Sequence, residues 1–333
     1  MSISRRSLLK SAVLATAVSG FVVGGAWANT VKVALVLPGS ITDGGWNQGA
    51  YEGLKALEAK GFKITFTENV AQAAIPQVVR GYADDGYDLI IGHGFQFGSL
   101  FAEIGPDYPK QKFFATTTAP GSAKVPENVL YLDSRFAEVS YGAGALAALM
   151  STKKGVGVVG GGDNPTQQAM VKAFKAGATA TVPGVQAAGI ITGDYNDAAK
   201  GREAANTLIG NGADVIWHIA DLTGIGAIQG AVAKKGVKVL GSNADQLALA
   251  PEAMGTSFAA NNAGIVEAVA KMVSDSSFKG GAAWAPSIEF LWLTVAGSAP
   301  YNDKVIDEKT WAAFQKIWKD LAGGKIDVAS AIK

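Results

Sequence analysis

From residue 31 onward, short runs rich in Val, Ile and Leu alternate with longer stretches whose apolar positions recur at helical spacing. The runs at 31–37, 62–67, 88–94, 112–117 and 129–133 read as buried strands. Between the first three lie helices at 47–60 and 75–85. The former places Tyr51, Leu54 and Leu57 on one face before Gly61 stops it, and the latter carries Pro76 near its first turn. A long helix at 136–150 follows. The rhythm then restarts with strands at 155–160, 185–192, 214–220 and 237–242, separated by helices at 166–178, 198–211 and 224–235.

Strands that alternate with helices make a parallel sheet covered on both faces. Two such arrays in one chain predict an α/β protein with two doubly wound, Rossmann-like lobes, each with its own core. The tail is too short for a third domain: a strand at 255–258, a helix at 262–273, an apolar strand at 288–295 and a helix at 310–321. These segments read as passages between the lobes, and several together would form a hinge. The expected division is 31–137 plus about 256–287 for the N-terminal lobe, and 138–255 plus about 288–333 for the C-terminal lobe. Ligands of open α/β sheets bind beyond the carboxyl ends of the strands, so the cleft between lobes is the expected site.

The first 28 residues belong to a different pattern. Paired Arg5-Arg6 and Lys10 precede an uncharged, small-residue stretch from Ala12 that ends in Ala26-Trp27-Ala28. This is the order of a twin-arginine export signal with cleavage after Ala28 rather than of a membrane anchor, and it predicts a periplasmic protein. Cleavage would remove three basic residues and no acid, taking the formal net charge from +1 to −2.

Composition then narrows the chemistry. The chain has no Cys and two His, so disulfides, thiolate metal sites and a cysteine nucleophile are excluded; no metal and no cofactor is expected. With 29 basic against 28 acidic residues there is no electrostatic footprint for a nucleic-acid polymer. Gly155-Val156-Gly157-Val158-Val159-Gly160 matches a dinucleotide-binding string, but its glycines fall inside the strand and not in the turn after it. No phosphate-loop string and no G-x-S-x-G elbow occurs, and no Ser-His-acid set can be assembled around His93 or His218.

The segment Asp43-Gly44-Gly45-Trp46-Asn47-Gln48-Gly49-Ala50-Tyr51-Glu52-Gly53-Leu54 resembles the first motif of the basic membrane protein family. Gly92-His93-Gly94-Phe95, Glu138 to Gly144, Asn196 to Gly201, Asp245-Gln246 and Thr256-Ser257 follow in the order of that family. The resemblance implies a type I periplasmic binding protein fold. It further implies capture of a purine base such as adenine, or a purine nucleoside, and delivery to a membrane ABC permease, with no reaction catalysed. Three departures stand out: Phe258-Ala259-Ala260 follows Thr256-Ser257 where family members often carry a Lys, no Cys is available for lipid anchoring, and a stretch around Trp284–Val295 replaces the expected Gly-rich C-terminal motif.

In that family an aromatic at the place of Trp46 stacks on the base; as a residue alone, Trp46 could also pack under its turn. Asp43 and Asn47 could read a purine edge or simply cap the helix. Phe95 follows the third strand toward the cleft. Tyr195 and Trp217 are the candidates for the opposite aromatic wall, with Trp217 equally placed for the core. Asp221 and Asp245 lie past strand ends, and Asp245 resembles the family acid that grips ribose hydroxyls. The alternatives are a sugar in the same fold, an exported nucleoside hydrolase, or a ligand-free sensor partner. A monomer is the default expectation.

Overall fold

The computed structural model describes residues 30–118, 121 and 124–333, so the export signal expected at 1–28 lies outside the described residues. The first half runs β1 (Lys32–Val36), α1 (Trp46–Ala59), β2 (Lys63–Thr67), α2 (Ile75–Asp84), β3 (Leu89–Gly92), α3 (Phe97–Ile104), β4 (Lys112–Ala115) and β5 (Val129–Leu132). The second runs α4 (Phe136–Met150), β6 (Gly155–Gly160), α5 (Pro165–Thr181), β7 (Gln186–Ile191), α6 (Ala198–Gly210), β8 (Val215–Ile219), α7 (Asp221–Val232), β9 (Lys238–Asn243) and β10 (Met254–Ala260). The tail adds α8 (Asn262–Ser274), β11 (Ala282–Trp284), α9 (Ile288–Leu291), β12 (Trp292–Val295), α10 (Glu308–Ala322) and α11 (Val328–Ala331).

These strands form two sheets, ordered β11-β5-β4-β3-β1-β2 and β12-β10-β9-β8-β6-β7. Every pairing is parallel except β10 with β12. In each sheet the strand order reverses direction, at β1/β3 and at β6/β8, and such a switch point opens a crevice beyond the strand ends. The fold is the type I periplasmic binding protein fold. No described helix is long and apolar enough to cross a membrane.

Chain chemistry accounts for the layers. Val33 to Leu37 is fully buried on both sides, as a central parallel strand requires. The string Gly155–Gly160 is β6 itself, buried throughout, and holds no turn glycine. α4 is apolar on nearly every face, and it approaches α5 so closely that only glycine fits the crossing. A Cβ on Gly144 would lie 1.9 Å from the Phe174 carbonyl oxygen, and one on Gly177 2.0 Å from that of Tyr141.

The chain passes between sheets three times, after β5, after β10 and between β11 and β12. β10 stays in the second sheet through Ala260, so a lobe boundary near 256 would cut through a strand; the passage comes at Asn261. Several elements differ from the sequence pattern, among them the short β11 and α11, which it does not show. The apolar run at 288–295 is not one strand: Ser287 caps a single turn, α9, before β12 begins. That turn lets Trp292 Nε1 donate to the Ser134 carbonyl at 2.8 Å, tying two interlobe passages together. α3 was hidden by Gly94 and Gly98 on either side of its start, although Phe97, Phe101 and Ile104 share its buried face.

Candidate functional site

The carboxyl ends of both sheets face a cavity of about 300 Å³ between the lobes. From the N-terminal lobe, the loop after β1 supplies Asp43, and the first turn of α1 supplies Trp46 and Asn47. The Asp43 carboxylate accepts from the backbone N–H of Gly45 (2.9 Å), Asn47 (2.8 Å) and Gln48 (3.1 Å), and from Asn47 Nδ2 (2.7 Å). Asn47 Oδ1 in turn accepts from the Gly39 N–H. The pair therefore caps α1 and braces the loop while still lining the cavity.

Trp46 lies flat on His93, with ring centroids 4.3 Å apart and planes 22° apart, and Phe136 leans on it at 5.9 Å. His93 is completely buried and its bonds fix its tautomer. Nε2 must donate to the Trp46 carbonyl (3.0 Å), because that oxygen can only accept, which leaves Nδ1 to accept from Thr116 Oγ1 (3.1 Å). Burial lowers its pKa to about 4, outweighing the Trp46 carbonyl and Asp43, so the ring is neutral at pH 7. Trp46 thus rests on a rigid, uncharged base, and the face turned away from His93 is left for the cavity.

The C-terminal lobe supplies the facing wall. The Tyr195 ring covers Gly161 and Gly162 so tightly that a Cβ on either would lie within 2.3 Å and 2.6 Å of it. Asn164 Nδ2 donates to its hydroxyl at 3.1 Å, while Asn164 Oδ1 caps α5 at Gln167. Asp221 opens α7 at φ +43° and Asn243 ends β9 at φ +65°, two left-handed non-glycine residues at strand ends. They are joined, Asn243 Nδ2 donating to Asp221 Oδ1 at 3.0 Å. Burial, with the Asp43 carboxylate adding to it, raises the Asp221 pKa to about 7. The lobes touch here, with Gly45 backed by Asn243 and Gly44 by Ile225.

Six of the eight residues singled out from sequence, Asp43, Trp46, Asn47, Phe95, Tyr195 and Asp221, line this one cavity, with Phe95 half-exposed at its mouth. Two do not. Trp217 is fully buried in β8, where it lies parallel to Phe174 at 5.8 Å, meets Phe258 edge-on and donates Nε1–H to the Gly241 carbonyl at 3.1 Å. It is core. Asp245 is exposed and outside the cavity, its carboxylate accepting from Leu247 N–H (3.1 Å) and Gly297 N–H (2.7 Å) to pin a loop. The sequence reading in turn missed Asn243, at the end of β9 two residues before Asp245, and Asn164 and Gln167 at the start of α5. It also missed Phe136 and Trp292, which reach the cavity from the interlobe passages.

His218, the other histidine, is buried below the cavity, bonded through Nε2 to Gln246 Oε1 at 2.8 Å. Burial lowers its pKa to about 4, against the Gln246 bond. Neither ring is hydrogen-bonded to a carboxylate: His93 bonds a backbone carbonyl and the Thr116 hydroxyl, and His218 bonds the Gln246 amide.

Two α/β lobes meeting around an aromatic-walled cavity define a solute-binding protein. Solved structures share this architecture. A solute-binding protein of an ABC transporter system from Aeropyrum pernix superposes with a TM-score of 0.76 at 21% identity, covering 89% of this chain and 92% of its own. The chain belongs to the Bmp family of PnrA-like ABC transporter substrate-binding proteins, whose profile matches residues 30–290. Basic membrane protein A2 of Borrelia garinii is 28% identical over 231 residues, 68% of this chain and 67% of that protein. A purine-binding protein of Brucella abortus is 32% identical over 246 residues, 72% of this chain and 68% of the relative. This is a family of binding proteins for a membrane transporter, not of enzymes.

Proposed function

We propose that the protein captures a purine base or purine nucleoside between Trp46 and Tyr195, and presents it in the closed form to an ABC permease. The observation that carries this is Trp46 stacked on neutral His93 and offering its other face to the cavity. A purine needs a flat ring surface and a few hydrogen-bonding groups at its edge. Asn164, Gln167, Asp221 and Asn243 supply such groups. The purine-binding relative supports the same reading. Because Asp245 lies outside the cavity, the acid expected to hold a ribose is missing, which favours the free base.

Binding closes the lobes by population shift, since a ligand that touches both walls prefers the closed state. In this reading the segment 1–28 is an export signal of the twin-arginine type, the mature chain works in the periplasm, and it acts as a monomer. Trp46→Ala is expected to weaken adenine or guanosine binding by about 1–3 kcal/mol, the range for base–aromatic stacking. Isothermal titration checks this, and an unchanged affinity would remove Trp46 from the site.

A further inference from the structure

The charge of the cavity wall is one-sided. Among the described residues its lining holds two carboxylates, Asp43 and Asp221, and no Lys, Arg or His. Five aromatic rings line it as well: Trp46, Phe95, Phe136, Tyr195 and Trp292. An adjoining hollow, which shares Thr117, Phe136, Thr166 and Met170 with the cavity, carries Asp133 and Glu138 against the single cation Arg135. An anionic ligand would meet these carboxylates with no side-chain cation among the cavity's described lining residues to offset them. A cation would meet a carboxylate and the negative faces of the rings.

The two carboxylates are not equivalent. Asp43 is surrounded by three backbone N–H groups and the Asn47 amide, all inside its own loop. Asp221 has one side-chain donor, Asn243 Nδ2. The titratable groups around Asp221 are Asp43 from the opposite lobe and the Tyr195 phenol. His218, on the strand leading into Asp221, is neutral and engaged with Gln246. The amino end of α7 is a favourable field at Asp221, and no side-chain cation lines the cavity with it among the described residues.

We propose that this cavity binds its heteroaromatic ligand with one positive charge, gained as a proton on binding and held against the Asp221 carboxylate within the aromatic cage. The inference rests on the purine reading only for the choice of ligand. With a neutral base such as adenine, the complex holds one proton between a ring nitrogen and Asp221. Asp221 titrates at about 7. Below that pH the free protein already carries the proton, and above it the proton must come from solvent.

The test is isothermal titration of adenine between about pH 6 and about pH 9, with wild type and Asp221→Asn; Asn tolerates the left-handed backbone of this position. The wild-type affinity is expected to fall about tenfold per pH unit above about pH 7, with uptake of one proton per ligand, and that of the variant to stay flat. A flat wild-type profile, or urate binding as tightly as adenine, overturns the inference while leaving the purine reading in place. Phenyltrimethylammonium, a charged ring without a purine edge, separates the two failures. If it binds wild type and not Asp221→Asn while adenine binds neither, the purine reading falls and the charge inference stands. If neither probe binds wild type, both fall.

Discussion

Trp217→Ala is expected to destabilise the protein by about 3–5 kcal/mol and to leave ligand affinity unchanged in the molecules that remain folded. The indole is completely buried, so its removal leaves a cavity bounded by Phe174 on one face and Phe258 at the edge. Those rings are held by their own neighbours: Phe258 packs on Phe314 and Trp318, and the Phe174 backbone is wedged against Gly144. Collapse into the gap is therefore limited, which puts the cost at the upper end for large-to-small changes. The Gly241 carbonyl also loses its indole donor. Urea unfolding measures the loss, and titration of the folded fraction measures the affinity. A near-normal midpoint with weakened binding would place Trp217 in the ligand wall instead.

Acid should destabilise the protein through its two histidines. His93 and His218 are buried and neutral, with pKa values lowered to about 4 from the ordinary 6.5. A histidine whose pKa is lower in the folded state binds fewer protons there, so its contribution is present above pH 6.5 and is lost as pH falls toward 4. Each shift corresponds to about 3 kcal/mol over that window. Asp221 works in the opposite direction. Its pKa is raised to about 7, so the folded form gains stability as it takes up a proton below that pH, offsetting about half of the histidine loss. A net loss of about 2–3 kcal/mol between pH 7 and pH 4 is expected, steeper in Asp221→Asn and shallower in His218→Gln. Urea midpoints across the range test this, and stability that rises steadily down to pH 4 would contradict it.

The contrast between Trp46 and Trp217 shows what the sequence makes legible. Trp46 opens α1 just after the turn from β1, where the Asp43-Gly44-Gly45 segment leaves little local core to fill. Its exposure to the cleft is decided by nearby residues. Trp217 sits inside a strand, where neighbouring side chains point to opposite faces. Its side depends on register, and pairing of Trp217 with Val158 and Leu240 sets it against α4 and α5 rather than at the strand end. Asn243 ends β9 and Asp245 lies two residues on; Asn243, at φ +65°, lines the cavity, while Asp245 is held outside it by the Leu247 and Gly297 N–H groups. Phe136 and Trp292 come from passages 156 positions apart, joined by the Trp292 bond to Ser134, and no local periodicity reveals such a meeting. The two sheets, by contrast, follow from alternating buried runs and helical spacing, because each strand's burial is written in its own residues.

The central claim, that this is a purine-binding member of its transporter family, is tested most directly by thermal unfolding of refolded, ligand-stripped protein. The panel is purine bases, purine nucleosides, pyrimidines, sugars and amino acids. Ligand at about 100 times its dissociation constant adds about 2.7 kcal/mol to the folded state, a shift read without knowing the permease. Purines alone are expected to raise the midpoint, with free bases at least as effective as nucleosides because no acid at 245 reaches the cavity. A shift with a sugar or an amino acid and none with any purine would contradict the claim.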